Sequence, residues 1–154
     1  MANPFIRKAI EIALANVGCD GGPFGAVIVR DGAVIATGAN QVTRTNDPTA
    51  HAEVVAIREA CRLLGHFQLT GCDLYASCEP CPMCLGAIFW ARPARVFFAA
   101  THDDAAAAGF DDSFIYRQIE VSHAQRSIPM IQVLDEFSTK PFEEWVSRPG
   151  KTRY

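Results

Sequence analysis

No apolar run in this chain approaches the roughly 20 residues that a helix needs to cross a bilayer, so no membrane partner is expected. The opening stretch, Met1 to Gly18, carries Arg7, Lys8 and Glu11 on a helical pattern. It has no apolar core leading to a small-residue cleavage site, so a secretory leader is not expected. Internal repeats, low-complexity tracts and long runs of like charge are missing too, which sets aside solenoids, linkers and single-charge tails. A basic excess is also lacking: 14 Lys and Arg stand against 17 Asp and Glu, a net charge of −3. Proteins that grip polyanions usually carry the opposite balance, so a stable nucleic-acid partner is not expected.

What is present fits a single domain spanning residues 1–154. A chain of 154 residues, 49% apolar, buries roughly 70% of its unfolded surface and needs no disulfide staples. The chain is expected to be cytoplasmic, with reduced thiols. Its six cysteines therefore point to metal or catalysis before crosslinks.

Periodicity predicts helices alternating with strands after an opening hairpin. Asn3-Pro4 is an N-cap and N1 pair, and Ile6, Ile10, Ala13, Leu14 and Val17 then form one apolar face. Ala26 to Val29 and Ala33 to Ala36 flank Asp31-Gly32, a hairpin signal. Asp47-Pro48 repeats the cap-then-proline pattern and predicts a second helix, with Val54, Ile57, Cys61 and Leu64 facing the core. Leu74 to Ser77 reads as a strand, Cys81 to Trp90 as a helix, Arg95 to Ala100 as a strand and Ser113 to Ile119 as a helix. Ile128 to Leu134 reads as a further strand, the fifth, and Pro141 to Val146 as a last helical segment. This order suggests a layered α/β sheet, partly parallel.

The chemistry concentrates in two short stretches. His51-Ala52-Glu53 begins one helix, and Pro80-Cys81-Pro82-Met83-Cys84 begins the next. Cys81 and Cys84, at i and i+3, share one side of a first helical turn, where free N–H groups and the helix dipole stabilise thiolates. One imidazole and two thiolates suit one Zn²⁺ per chain and leave its fourth position to a catalytic water. Two thiolates cancel the formal charge of the metal, so that water needs a base close by, and Glu53 is placed to be it. On an ideal helix, however, residues i and i+2 diverge. Convergence of His51 and Glu53 therefore requires the irregular geometry of a helix start.

A competing arrangement recruits Cys78 as a fourth ligand, closing the site and leaving a zinc-stabilised interaction module without catalysis. Against it, Cys78 precedes Glu79-Pro80 at a strand end, off the helical turn, and such a module has no use for Glu53. Cys19, Cys61 and Cys72 read as small apolar fillers, and His66, His102 and His123 as surface or loop histidines. Phe24, after a Gly-Gly-Pro loop, is placed either to stack on a flat base or to pack in the core. Asn40 offers a donor and an acceptor that suit a carbonyl oxygen and a neighbouring ring nitrogen, or is simply a turn residue. Asp111 and Asp112 either cap the helix at Ser113 or face a substrate.

His-x-Glu followed by Pro-Cys-x-x-Cys resembles the signature of the cytidine deaminase-like zinc deaminases, which act on amino groups of nucleobases. Four stretches look further like the bacterial guanine deaminases of that superfamily. They are Gly21-Gly22-Pro23-Phe24-Gly25-Ala26-Val27, Asn46-Asp47-Pro48-Thr49-Ala50-His51-Ala52-Glu53, Cys78 to Pro93 and Ala108-Gly109-Phe110-Asp111-Asp112-Ser113. The likeness runs over nearly the whole chain. It implies a three-layer α/β/α cytidine deaminase-like fold with a mixed, partly parallel five-stranded sheet, and hydrolysis of guanine to xanthine and ammonia. It favours Asp112 as acceptor for a ring N–H and raises Trp90 to a pocket wall. It also implies a homodimer in which the C-terminal segment, residues 137–154, is exchanged, with Tyr154 helping to shield the base from water. The plainer reading of Ser147 to Tyr154 is a frayed tail, since Pro149-Gly150 and three basic residues cannot bury themselves. Within the superfamily the alternatives are a tRNA adenosine deaminase and a deaminase of cytosine or another aminated ring.

Overall fold

The computed structural model describes residues 3–154 and divides into two compact units, Met1–Ser113 and Phe114–Tyr154. In the first unit, α1 (Pro4–Val17) begins where the sequence indicates, with Asn3 Oδ1 accepting from the N–H groups of Phe5 at 2.9 Å and Ile6 at 3.3 Å. The face it buries matches the predicted one only at Ala13 and, in part, Ile6. Ala9, Ala13 and Asn16 are buried, whereas Ile10, Leu14 and Val17 are exposed. At Gly25 the helix backbone comes so close that a Cβ would run into Ala9 and Ala13, so small side chains lie there. Phe5, Ile6 and Ile12 pack beside them, partly buried, while Ile10, Leu14 and Val17 turn outward.

β1 (Gly25–Arg30) and β2 (Ala33–Ala39) form the expected hairpin. Asp31 and Gly32 both take positive φ (51° and 75°), as a two-residue turn between right-twisted strands requires. β3 (Cys72–Cys78) and β4 (Arg95–Ala100) complete a sheet of order β2-β1-β3-β4, in which only the β3–β4 pair is parallel. The sheet is mixed, as expected, but it has four strands. Ile128 to Leu134 forms no strand and makes no ladder; Ile131 and Leu134 are each 81% exposed. An apolar run becomes a strand only where a partner edge accepts its backbone hydrogen bonds.

Alternating residues of the central strands serve opposite faces. Ala26, Ile28, Leu74 and Ala76 pack in one cluster with α3 (Ala52–Leu64) and α4 (Pro82–Ala91). Val27, Val29 and Tyr75 pack with Ala9 of α1 in the other. Three layers result, α/β/α. Ile28, Leu69 and Leu74 are fully buried, a stabilisation of about 1.5–3 kcal/mol for each.

The helix expected from Asp47-Pro48 starts later, at Ala52. Asp47 Oδ1 accepts from the Thr49 N–H at 2.8 Å and the Thr49 hydroxyl at 2.7 Å. That side chain thus closes a local turn in place of a helix. The one-turn helix α2 (Val42–Thr45) and the short α5 (His102–Ala107) carry too little periodicity to be read from sequence. The second unit holds α6 (Ser113–Glu120) from Phe114 onward, a 3₁₀ turn over His123–Gln125 and α7 (Lys140–Ser147). Among the described residues no helix is long and apolar enough to cross a membrane.

Strand register decides where a site can form. Gly25 pairs with Ala39, Ala26 with Ala76, and Cys78 with Ala100. The start of β1 and the ends of β2, β3 and β4 therefore lie at one edge. Phe24, Asn40, the Glu79–Cys81 segment and Thr101 all leave the sheet there.

Candidate active site

His51 is the N-cap of α3, on extended backbone (φ −68°, ψ 155°), and Glu53 follows in the first helical turn. The imidazole therefore departs from outside the helical period, and the divergence of residues i and i+2 does not apply. Cys81 is likewise the N-cap of α4 (φ −64°, ψ 168°), with Pro82 opening the helix and Cys84 at its third position. N-cap and N3 side chains face each other across a helix start, which brings the two sulfurs together.

His51 Nδ1 lies 3.5 Å from Cys81 Sγ and 3.5 Å from Cys84 Sγ. All three donor atoms fall within 4.8 Å of one another. A tetrahedral zinc with Zn–S of about 2.3 Å and Zn–N of about 2.0–2.1 Å has an N···S edge of about 3.5 Å. The donor set thus fits one Zn²⁺ as it stands. Cys78 lies apart, its Sγ 3.5 Å from the Thr101 carbonyl. With three protein donors, one tetrahedral position is left to a non-protein ligand.

Electrostatics agree with the geometry. The Cys84 thiol and the His51 ring beside Cys81 pull its pKa down to about 4, against the opposing effect of burial. Cys84 is pushed up, first as the hydrogen-bond donor to Cys81, then by burial and by Glu53. The Cys81 sulfur holds a proton on His51 above its ordinary range. Three lone pairs converging on one point repel unless a proton or a cation sits there, and a divalent cation satisfies all three. Glu53 is 7% exposed; burial raises its proton affinity, and it stands beside Cys84 at the edge of the cluster.

Around this centre, Asn40 is buried and its Oδ1 accepts from the Val42 N–H at 3.2 Å. Its Nδ2 has no hydrogen-bond partner among the described residues. Phe24 packs against the core cluster and meets Phe110 edge-on, with ring centroids 5.0 Å apart. Asp111 Oδ1 accepts from the Ser113 N–H at 2.9 Å, so it is the member of the pair that ties down the backbone. Asp112 is half-buried, and burial, then the charge of Cys81, raise its pKa. Trp90, on α4, is 65% exposed. Tyr154 belongs to the second unit, where its ring lies 6.2 Å from that of Trp145.

Two arrangements escaped the sequence reading. His102 is exposed, as expected of a surface histidine, and it also places Nδ1 3.0 Å and its backbone N–H 3.1 Å from Glu79 Oε2, bracing the turn that leads into Cys81. Asn16, on α1, bonds to backbone of the substrate side. Partners 23 and 24 residues apart leave no local signal. Only the placement of a polar Asn16 one turn beyond the core residue Ala13 hinted at the second.

Comparison with known proteins agrees with this site. A sequence profile of the cytidine and deoxycytidylate deaminase zinc-binding region matches residues 2–100. A guanine deaminase of Bacillus subtilis is 58% identical over 151 residues, 97% of this chain and 97% of that protein. An X-ray structure of guanine deaminase from Bacillus subtilis superposes with a TM-score of 0.97 at 56% identity, covering 100% of this chain and 99% of that one. A tRNA-specific adenosine deaminase of Agrobacterium fabrum is 51% identical, but over 96 residues, 62% of this chain and 63% of that protein.

Proposed function

The chain belongs to the cytidine and deoxycytidylate deaminase zinc-binding family, and we propose that it hydrolyses guanine to xanthine and ammonia. The observation that carries this is a three-donor zinc cluster with a buried carboxylate beside it, in a chain similar to a guanine deaminase from end to end.

His51, Cys81 and Cys84 would hold the metal, and a zinc ion there would supply Lewis acidity and lower the pKa of a water toward neutrality. Glu53 would accept that water's proton and pass it to a ring nitrogen of the base, then take a second proton from the oxygen added at the reacting carbon and give it to the departing amine. Its position next to Cys84 puts it within reach of both sites. Asn40 offers its Nδ2 to the carbonyl edge of the purine, and Asp112 accepts a ring N–H. Phe24 stacks beside the ring and Trp90 walls the pocket.

The protein works in the cytoplasm as a homodimer whose residues 137–154 cross to the partner subunit, so that Tyr154 closes the partner's pocket. In support, Phe142, Trp145, Val146 and Tyr154 line an apolar groove of about 640 Å³ in the second unit, a surface that water alone would cover poorly. The test of the reaction is ammonia release from the zinc-loaded protein across guanine, adenine, cytosine, adenosine and tRNA, with product identified by chromatography. Guanine turning over fastest and yielding xanthine is the expected result. Preference for tRNA, with steep salt dependence, would replace this reading by the tRNA adenosine deaminase one.

A further inference from the structure

Asn16 is a polar side chain on the buried face of α1, 5% exposed. A buried amide costs free energy unless its hydrogens are used, and Asn16 uses both. Its Nδ2 donates to the Gly22 carbonyl at 2.8 Å and to the Asn40 carbonyl at 2.8 Å. Its own backbone carbonyl accepts from the N–H groups of Cys19 at 3.0 Å and Gly21 at 2.9 Å. Gly21 lies against the amide so closely that a Cβ there would run into Asn16 Cγ, Oδ1 and Nδ2.

The two carbonyls belong to segments that meet nowhere in the sequence. One is the loop that delivers Phe24; the other is Asn40 itself, at the end of β2. They are also joined directly, since the Asn40 N–H donates to the Phe24 carbonyl at 3.1 Å. The Asn40 side chain is then aimed by the Val42 N–H. Loop, strand end and side chain form one hydrogen-bonded unit with Asn16 at its root. Neither the three zinc donors nor Glu53 has a hydrogen bond to Asn16.

We infer that Asn16 is a positioning residue that holds Asn40 and Phe24 as one preassembled edge for reading the purine, and thereby sets base recognition apart from the chemistry. This rests on the substrate role proposed for Asn40. Preorganisation of this kind matters because an edge already held in its binding geometry need not be ordered when the base arrives, which strengthens binding.

The experiment is steady-state kinetics on guanine, with zinc content and melting temperature, for Asn16→Ala, Asn40→Ala and the double variant. Asn16→Ala is expected to keep its zinc and to raise KM about tenfold, the scale of one misplaced hydrogen bond, with kcat changed less than about threefold. In the Asn40→Ala background the same substitution is expected to add nothing to KM. A lowered melting temperature with parental KM would reduce Asn16 to a structural role and overturn the inference, as would KM effects that multiply in the double variant. Gly21→Ala gives an independent route should Asn16→Ala fold poorly. Its Cβ displaces the amide without removing it, so the same KM shift is expected, and a parental KM there also overturns the inference. If Asn40→Ala alone leaves KM unchanged, the Asn40 assignment falls. A raised KM in Asn16→Ala would then show action by another route, again against the inference.

Discussion

Glu53 and Asp112 are both carboxylates within the influence of the cysteine pair, yet their surroundings differ. Glu53 is buried beside Cys84, and its proton affinity is raised chiefly by desolvation. That is the setting of a proton carrier. Glu53→Gln is therefore expected to keep its zinc, measured by metal analysis, while ammonia release falls by about 10²–10⁴-fold or more. Near-normal turnover with intact metal would remove Glu53 from the mechanism. Asp112 is half-buried and is not the residue that fixes the Ser113 backbone, which Asp111 does. Asp112→Ala should accordingly raise KM for guanine with little change in melting temperature. Asp111→Ala should do the reverse, at a cost of about 1 kcal/mol in stability; loss of activity in Asp111→Ala alone would reverse the assignment. The convergence of His51, Cys81 and Cys84 was legible in the sequence because two short motifs set their spacing. Asn40 and Asp112 were legible only as ambiguous polar residues. The Glu79–His102 pair and Asn16 were not legible, because the fold alone brings their partners together.

Helix starts position the metal centre, and one glycine controls how close the more important of them comes. Gly38 of β2 faces the Ala52 carbonyl and the Ala56 backbone, and a Cβ there would run into both. Ala52 stands between His51 and Glu53, so Gly38→Ala would push the first turn of α3 away from the sheet and carry both residues with it. The expected outcome is a loss of about 1–3 kcal/mol in stability together with weaker zinc retention in a chelator competition. Unchanged zinc affinity would show that the α3 start is held from elsewhere. The same close packing explains which elements could be read from sequence. The four strands announce themselves by short apolar runs and the Asp31-Gly32 turn. The buried face of α1 did not, because hydrophobic periodicity assumes that the largest side chains point inward. Here the fully buried positions are the small or polar Ala9, Ala13 and Asn16, with Phe5, Ile6 and Ile12 only partly buried beside them. Asp47-Pro48 misled for a related reason: an aspartate before proline caps a turn as readily as a helix, and Thr49 accepted the turn.

At the scale of the whole chain, the apolar residues that lack cover are concentrated beyond residue 113. Ile128, Ile131, Val133 and Leu134 are each about four-fifths exposed, and Phe142 and Val146 of α7 are each 71% exposed. The Ile128 to Leu134 run has the composition of a buried strand and no ladder to join. Burying such side chains against another surface stabilises by about 1.5–3 kcal/mol each, enough over several residues to offset the cost of ordering a segment on a partner. A second copy of this chain presents matching uncovered apolar residues, and symmetric exchange lets each copy cover the other. Sedimentation equilibrium is therefore expected to give twice the mass of the chain. Deleting Arg148 to Tyr154 then separates a working lid from a loose tail. The deletion removes Tyr154 and the ring contact it makes with Trp145 but leaves every zinc donor in place. If the segment closes a partner's pocket, water enters on deletion and weakens the interactions of zinc and Glu53 with the reacting base. Guanine turnover should fall by about tenfold or more, the effect of a few displaced pocket contacts, while zinc content and the unfolding transition hold. A truncated protein with full activity would leave the C-terminal segment without a catalytic part.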